Sequence, residues 1–291
     1  MTARKILVVG ATGQQGRATI AALHSSHTSA SPLQIIALTR SATAPRAQSL
    51  QSSYQNVELL EGDVKDPGPI FQAHPDITSV FLVTAAVAAE SRVDHVVFSS
   101  VDRGGNDLSW DTPTDVPHFA AKHEIELLLR QSCEEAQREI HWTILRPTGF
   151  MDNFGPTFFG SFMATLWAQG MPADRKMQLV STHDIGVFAA KALLDPERWA
   201  GQAVGLAGDD LSFSELQQVF ERTVGKPLPT TYQVLARPAL WWIAEVRTSF
   251  EWFSNCGYGV NIASLREEEP GLQTFEVWLR DSSSWGQHTA A

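Results

Sequence analysis

The chain has 291 residues, 43% of them hydrophobic, enough for one large domain or one domain with a smaller lobe. A net charge of −10 and a sequence pI of about 5.3 argue against a protein that coats nucleic-acid phosphates. Two cysteines, Cys133 and Cys256, exclude a disulfide framework, no paired metal-ligand motif is present, and no apolar run approaches the roughly 20 residues a membrane helix needs. The N-terminus enters an apolar run almost at once, which predicts no signal peptide and a soluble, cytoplasmic protein.

That first run, residues 5–9, ends in Gly10-Ala11-Thr12-Gly13-Gln14-Gln15-Gly16, with a helix-compatible segment at 17–23 directly after it. It is long and β-branched enough for a strand buried on both faces, as in a parallel sheet. Gly10 permits a tight turn, Gly13 lets backbone N–H groups approach a pyrophosphate, and Gly16 lets the helix pack close to the strand. The helix start, with Thr12, Gln14 and Gln15 at hand, offers unpaired N–H groups and a positive dipole end to phosphates. Strand before and helix after favour a dinucleotide site over an ordinary strand–turn–helix. The next run, 34–39, ends in Arg40, where an NAD-selective site usually carries an acid. Its guanidinium suits the 2′-phosphate of NADP, Ser41 and Arg46 are close in sequence, and the first acid to follow is Glu58. NADP(H) is therefore expected as cofactor.

Further strand-like runs fall at 57–60, 79–83, 94–99 and 142–145, most of them separated by helix-compatible segments. That alternation predicts an α/β protein with a doubly wound parallel sheet. Gly62-Asp63-Val64 follows the third run, at the sheet edge where ligands bind in such folds. Asp63 there either accepts from an adenine amino group, with Val64 against the ring, or is a plain turn aspartate. Residues 84–93 are too few for a full crossover, so a stub helix is expected after Thr84. Residues 117–137 read as a helix with Phe119, Ile125, Leu128 and Leu129 on its apolar face. Pro147-Thr148-Gly149-Phe150 is a breaker-rich turn at a strand end, and Asn153 and Phe154 beyond it are candidates for substrate contact. Residues 181–194 read as a helix with Thr182 as N-cap, 203–207 as a short strand, and Ser212-Phe213-Ser214-Glu215 as a capping box opening a helix to about Val224. A short helix is expected at 272–279 and disorder from Ser282 onward. Nine tryptophans, concentrated beyond position 240, either seal a small lobe or line a pocket for a bulky apolar molecule.

The stretches Gly10 to Gly16, Leu38-Thr39-Arg40, Gly62-Asp63-Val64, Val96 to Val101, Phe119-Ala120-Ala121-Lys122, Leu145 to Phe150 and Asp184-Ile185-Gly186 together resemble the NmrA-like family, an atypical branch of the short-chain dehydrogenase/reductase superfamily. The resemblance implies a Rossmann-type domain binding NADP(H), residues 1–155 with 176–207 returning to it. It also implies a smaller, mostly C-terminal α/β substrate lobe, 156–175 and 208–291, covering the nicotinamide end. The superfamily typically uses a Tyr-x-x-x-Lys pair and a serine on the preceding strand. Lys122 matches the lysine and Ser99 or Ser100 the serine, while His118 occupies the tyrosine position. The implied catalytic set is Lys122, His118 and Ser100, with Lys122 also holding the cofactor ribose. Thr84, Pro147, Thr148 and Phe150 are further implied cofactor contacts, the last three on the nicotinamide-side turn, and Asp184 is more structural than catalytic.

The leading functional expectation is NADPH-dependent reduction of an enone, imine or iminium in a bulky hydrophobic molecule, as in specialised-metabolite biosynthesis. Hydride donation to an iminium needs no proton donor, so a missing tyrosine matters little there. The alternatives are an NADP(H) redox sensor that binds a protein partner, a redox-neutral cyclisation or rearrangement in the same pocket, and a quinone or isoflavone-type reductase. No metal, nucleic acid or membrane is expected as a partner, and the oligomeric state stays open.

Overall fold

The computed structural model describes residues 4–28, 31–83 and 92–286. The chain begins with β1 (Arg4–Val8), α1 (Gln14–Ser25), β2 (Leu33–Thr39), α2 (Pro45–Ser53), β3 (Val57–Glu61), α3 (Gly68–Ala73), β4 (Ile77–Leu82) and β5 (His95–Ser99). It continues through α4 (Asn106–Asp111), α5 (Pro117–Glu135), β6 (His141–Pro147), β7 (Gly149–Phe150), α6 (Phe158–Gly170), β8 (Met177–Val180) and α7 (Thr182–Leu194). The remainder is α8 (Pro196–Trp199), β9 (Gln202–Leu206), β10 (Asp209–Leu211), α9 (Phe213–Val224), α10 (Gln233–Trp242), α11 (Ala244–Asn255), α12 (Ile262–Glu268) and a helical turn at Phe275–Val277 that runs on into a π-helical turn at Trp278–Ser282.

Seven strands form one sheet in the order β3-β2-β1-β4-β5-β6-β9, and the pairs joining β1 through β6 are all parallel. This is the expected Rossmann-type α/β fold. Ile6, Val8, Ile35, Ile36, Val97 and Phe98 are fully buried or nearly so, because helices cover both faces of the central strands. The winding reverses between β1 and β4, which places the start of α1 at the switch point where such sheets bind ligands. Of the short crossover at 84–93, where a stub helix is expected, residues 84–91, Thr84 among them, lie outside the described residues.

The chain divides into two compact units. The first comprises Met1–Ser100, Lys122–Arg146 and His183–Val204, and the second Val101–Ala121, Pro147–Thr182 and Gly205–Ala291. In the first, Gly186 of α7 packs so closely on the Ala18 backbone that a Cβ would collide with it. The Asp184-Ile185-Gly186 motif therefore serves helix packing. In the second, β10-β8-β7 form a small sheet, and Phe154, Trp167, Phe220, Phe250, Phe275 and Trp278 build the core. α9 opens on the expected capping box, with Ser212 and Glu215 exchanging bonds, and ends at Gly225 in the left-handed region (φ +78°).

Several expectations need correction. Leu128 is 60% exposed, and the inward position on α5 belongs to Glu126, which is fully buried. An ion pair with Arg146 makes that burial tolerable, so the polar residue overrides the apolar periodicity. Thr182 is the first residue of α7, and its hydroxyl and N–H both donate to Asp152 (2.7 and 2.9 Å). The segment after Ser282 is anchored as far as described: the Trp285 indole is buried and donates to the Phe154 carbonyl (2.9 Å). Phe154 itself is a core residue, so its side chain is taken up by packing against Trp167 and Phe275.

Candidate functional site

In the first unit the candidate residues gather at the C-terminal ends of parallel strands. Gly10 turns the chain after β1 at φ +72°, and its carbonyl accepts from Gly13 N–H (2.9 Å). A Cβ at Gly13 would stand 3.2 Å from that carbonyl, and one at Gly16 would collide with it. The turn is therefore a backbone cradle that glycine alone fits. The N–H groups of the first turn of α1 have no intrahelical partner. No side chain caps that turn and no acid sits in it, leaving Thr12, Gln14 and Gln15 around a start suited to an anion.

At the end of β2, Arg40 is exposed, and so is Arg46 in the first turn of α2. Sheet register sets Glu61 opposite Thr39, closer than Glu58. Its carboxylate is engaged by the Ala42 N–H (2.9 Å). Ser41 shares a hydroxyl contact with Thr43 (3.1 Å). Beyond β3, Asp63 is exposed and accepts from the Lys65 N–H (3.0 Å), with Val64 half-buried beside it.

Lys122, on α5, is held by two backbone carbonyls, Val83 after β4 (2.6 Å) and Ser99 at the end of β5 (2.5 Å). Its ammonium also lies 4.8 Å from the centre of the Phe98 ring. Burial pushes its pKa down to about 8, with the Glu126 carboxylate opposing the fall. The two serines take different parts. Ser99 is fully buried and its hydroxyl donates to the Gln15 side-chain carbonyl (2.5 Å), tying the glycine turn to β5. The Ser100 hydroxyl is buried without a hydrogen-bond partner among the described residues, a state that a bound group would relieve.

His118, Pro147, Thr148 and Phe150 belong to the second unit. His118, in the first turn of α5, pairs through Nδ1 with Glu245 in the first turn of α11 (2.9 Å). Phe119 beside it is buried against Trp252, Phe253 and Tyr258, with ring centres 5.0 to 6.5 Å apart. Asp102 is fully buried and receives N–H groups from Gly104, Gly105 and Gly259, which fixes the loop carrying Tyr258. Burial, with Asp102 nearby, raises the Tyr258 phenol well above its ordinary value. The Thr148 hydroxyl and N–H are both spent on the Leu206 carbonyl (3.0 and 3.1 Å). Phe150 is half-buried in β7, and the Pro147 carbonyl accepts from Asp102 N–H (3.1 Å). Trp241 and Trp242 are exposed, whereas Trp278 and Trp285 are core residues. Cys133 is half-buried in α5, and burial raises its thiol to about 11, which makes it inert. Among the described residues there is no metal-binding cluster, and no helix is long and apolar enough to cross a membrane.

Three of these features escape sequence reasoning. Glu245 lies far from His118 in sequence. The Ser99–Gln15 bond depends on how β5 faces α1. Glu126 is four residues after Lys122, a helical spacing that was visible, but nothing in the pattern marks a glutamate as buried.

Residues 2–262 match the model of the NmrA-like family. An NmrA-like family domain-containing oxidoreductase of Gibberella moniliformis is 26% identical over 76% of this chain and 77% of that protein. Isoflavone reductase of Pisum sativum is 24% identical over 79% of each. A second NmrA-like oxidoreductase, from Aspergillus flavus, is 36% identical over 24% of this chain, a match spanning 22% of that protein's length. Among solved structures, NmrA, described as a negative transcriptional regulator in complex with NADP, superposes with a TM-score of 0.72 at 16% identity, covering 100% of this chain and 98% of that one. Citrobacter sp. triphenylmethane reductase complexed with NADP(H) gives 0.68 at 19%, covering 94% and 98%. At such identities the likeness is one of fold.

Proposed function

This chain belongs to the NmrA-like family, and from that premise we propose that it is an NADP(H)-dependent oxidoreductase acting on a bulky, hydrophobic small molecule. The observation that carries the reading is the Lys122 clamp: the ammonium is held on the Val83 and Ser99 carbonyls, in the same unit as an acid-free, glycine-lined helix start. NADPH, when bound, supplies the hydride. The N–H groups after Gly13, with Thr12, Gln14 and Gln15, hold the pyrophosphate. Arg40 and Ser41 take the 2′-phosphate, since Glu61, the nearby acid, is already engaged by a backbone amide. Asp63 and Val64 flank the adenine. Lys122 spends two of its three N–H donors on carbonyls and keeps the third for the ribose hydroxyls. The orphaned Ser100 hydroxyl donates to a cofactor or substrate oxygen, and the family resemblance alone makes Pro147 and Phe150 proposed cofactor contacts. Thr148 contributes backbone shape alone, its hydroxyl being committed.

His118 stands where the superfamily's tyrosine would, with Glu245 orienting its ring. No phenol stands at this position to exchange a proton with the substrate. The favoured substrates are those whose reduction does not depend on that tyrosine: an enone, imine or iminium, in a setting such as specialised-metabolite biosynthesis. A second reading, a non-catalytic NADP(H) sensor binding a protein partner, draws on the same missing tyrosine and on NmrA's description as a regulator.

The test is NADPH oxidation by the purified protein across bulky enones and cyclic imines, with Lys122→Ala and His118→Phe alongside. Turnover of one class, lost in Lys122→Ala, is expected. Tight NADPH binding with no oxidation and no new product by mass spectrometry would overturn the enzyme reading in favour of the sensor.

A further inference from the structure

The Glu126–Arg146 ion pair of the first unit is fully buried, both side chains having no exposed surface. Both carboxylate oxygens are engaged, Nε to Oε1 at 3.1 Å and Nη2 to Oε2 at 2.8 Å, across α5 and β6. Such a pair is weak support for stability, because desolvating two ions offsets their attraction and an apolar pair of the same shape would serve the core as well. Its location suggests another use. Glu126 follows Lys122 by four residues on α5, so the two side chains share one helix face. Around the ammonium are the neutral carbonyls of Val83 and Ser99, the Phe98 ring on β5 and, as the charge acting on it, Glu126, with Arg146 on β6 beyond that carboxylate.

We infer that Glu126 is a positioning residue: fixed by Arg146, its buried carboxylate keeps Lys122 an ammonium at the point where three strands deliver the cofactor-binding groups. The inference rests on the reading of Lys122 as the group that holds the cofactor ribose. A carboxylate with no such duty would need only to satisfy Arg146. One placed a helical turn from a buried lysine also counters the tendency of that lysine to shed its proton on leaving water.

The experiment follows the Lys122 side chain directly. Protein carrying 13C-labelled lysine is titrated by NMR, the Lys122 resonance being assigned by its loss in Lys122→Met. NADPH dissociation constants are measured on the same samples. Wild type, Glu126→Gln and Glu126→Gln/Arg146→Met are compared, the double variant leaving no lone guanidinium in the core. The wild-type midpoint is expected at about 8. In Glu126→Gln it is expected to drop by at least about one pH unit, with the double variant between the two, because the unneutralised Arg146 adds repulsion in the single variant alone. Midpoints unmoved in both variants overturn the inference. If Glu126→Gln does not fold, the double variant decides: a midpoint below wild type supports it and an equal one overturns it. If the midpoints move but NADPH affinity follows none of them, Glu126 acts on Lys122 as inferred, and the reading of Lys122 as a cofactor ligand is what fails.

Discussion

If its ammonium holds the cofactor as proposed, Lys122 ties stability and cofactor affinity to pH in opposite directions. Its folded pKa, about 8, lies below the ordinary 10.5 because burial disfavours the ammonium. Between those values the unfolded chain binds the proton more readily than the folded one, so stability rises with pH across that window. Below pH 8 the full cost of burying the charge is present, about 3.4 kcal/mol for a gap of about 2.5 pH units. Raising the pH from 7 to 9 relieves about 1.3 kcal/mol of that cost. Over the same interval the charged fraction falls to roughly one in ten, so NADPH affinity should drop up to about tenfold if the ammonium holds the ribose. The measurement is urea unfolding and NADPH titration at both pH values, for wild type and Lys122→Met. The variant should lose the pH-dependent gain in stability and show weak affinity that no longer changes with pH. Parallel pH slopes in wild type and variant, for either quantity, would refute the reasoning.

Arg40→Asp should weaken NADPH binding about 10- to 100-fold while leaving NADH binding within a few-fold, as calorimetry of both cofactors would show; equal losses for both would remove Arg40 from the 2′-phosphate. Gly16→Ala forces a methyl into the Gly10 carbonyl, and NADPH binding should be lost together with about 2 kcal/mol or more of stability in denaturant melts. Burial holds the His95 imidazole down to about 3, its Nε2 donating to the Thr143 hydroxyl, which itself donates to the Trp199 carbonyl. The folded value lies below the unfolded 6.5, so stability is lost as pH falls below that value. The loss should be about 2 kcal/mol between pH 7 and 5, and unfolding curves of His95→Phe should lack that slope.

The parallel sheet was legible because strands buried on both faces read as continuous apolar runs. Those at β1 through β6 lie within two residues of where the runs predict them. The strands β7, β8 and β10 were not, since two to four residues of mixed polarity carry no period to read. Helix α5 was recognisable from its periodicity, but its inward face was not. Leu128 looks like core, yet it is exposed, while the glutamate two positions before it goes inside because an arginine on the neighbouring strand waits for it. Ser282 to Ser284 suggest a frayed tail by composition alone. The Ser283 hydroxyl instead bonds back to Leu279 and accepts from Trp285 N–H, and the indole packs edge-on against Phe220. For Glu126 and for Trp285 the deciding partner, Arg146 or Phe220, is remote in sequence.

The replacement of tyrosine by His118 changes what the neighbouring lysine is for. Where a tyrosine exchanges the proton, a lysine four residues on serves both to lower the phenol's pKa and to bind the ribose. With His118 paired to Glu245, no phenol stands in that position to be activated. On the proposed reading the lysine keeps the second duty, and its geometry suits it: two N–H groups are fixed on carbonyls at the ends of β4 and β5, which sets the direction of the third. A lysine used to tune a neighbour through its field would tolerate a looser hold, since charge acts over several ångströms, whereas a hydroxyl-binding donor must be aimed within tenths of one. The rigid clamp therefore argues for cofactor positioning over phenol activation as the proposed role of Lys122.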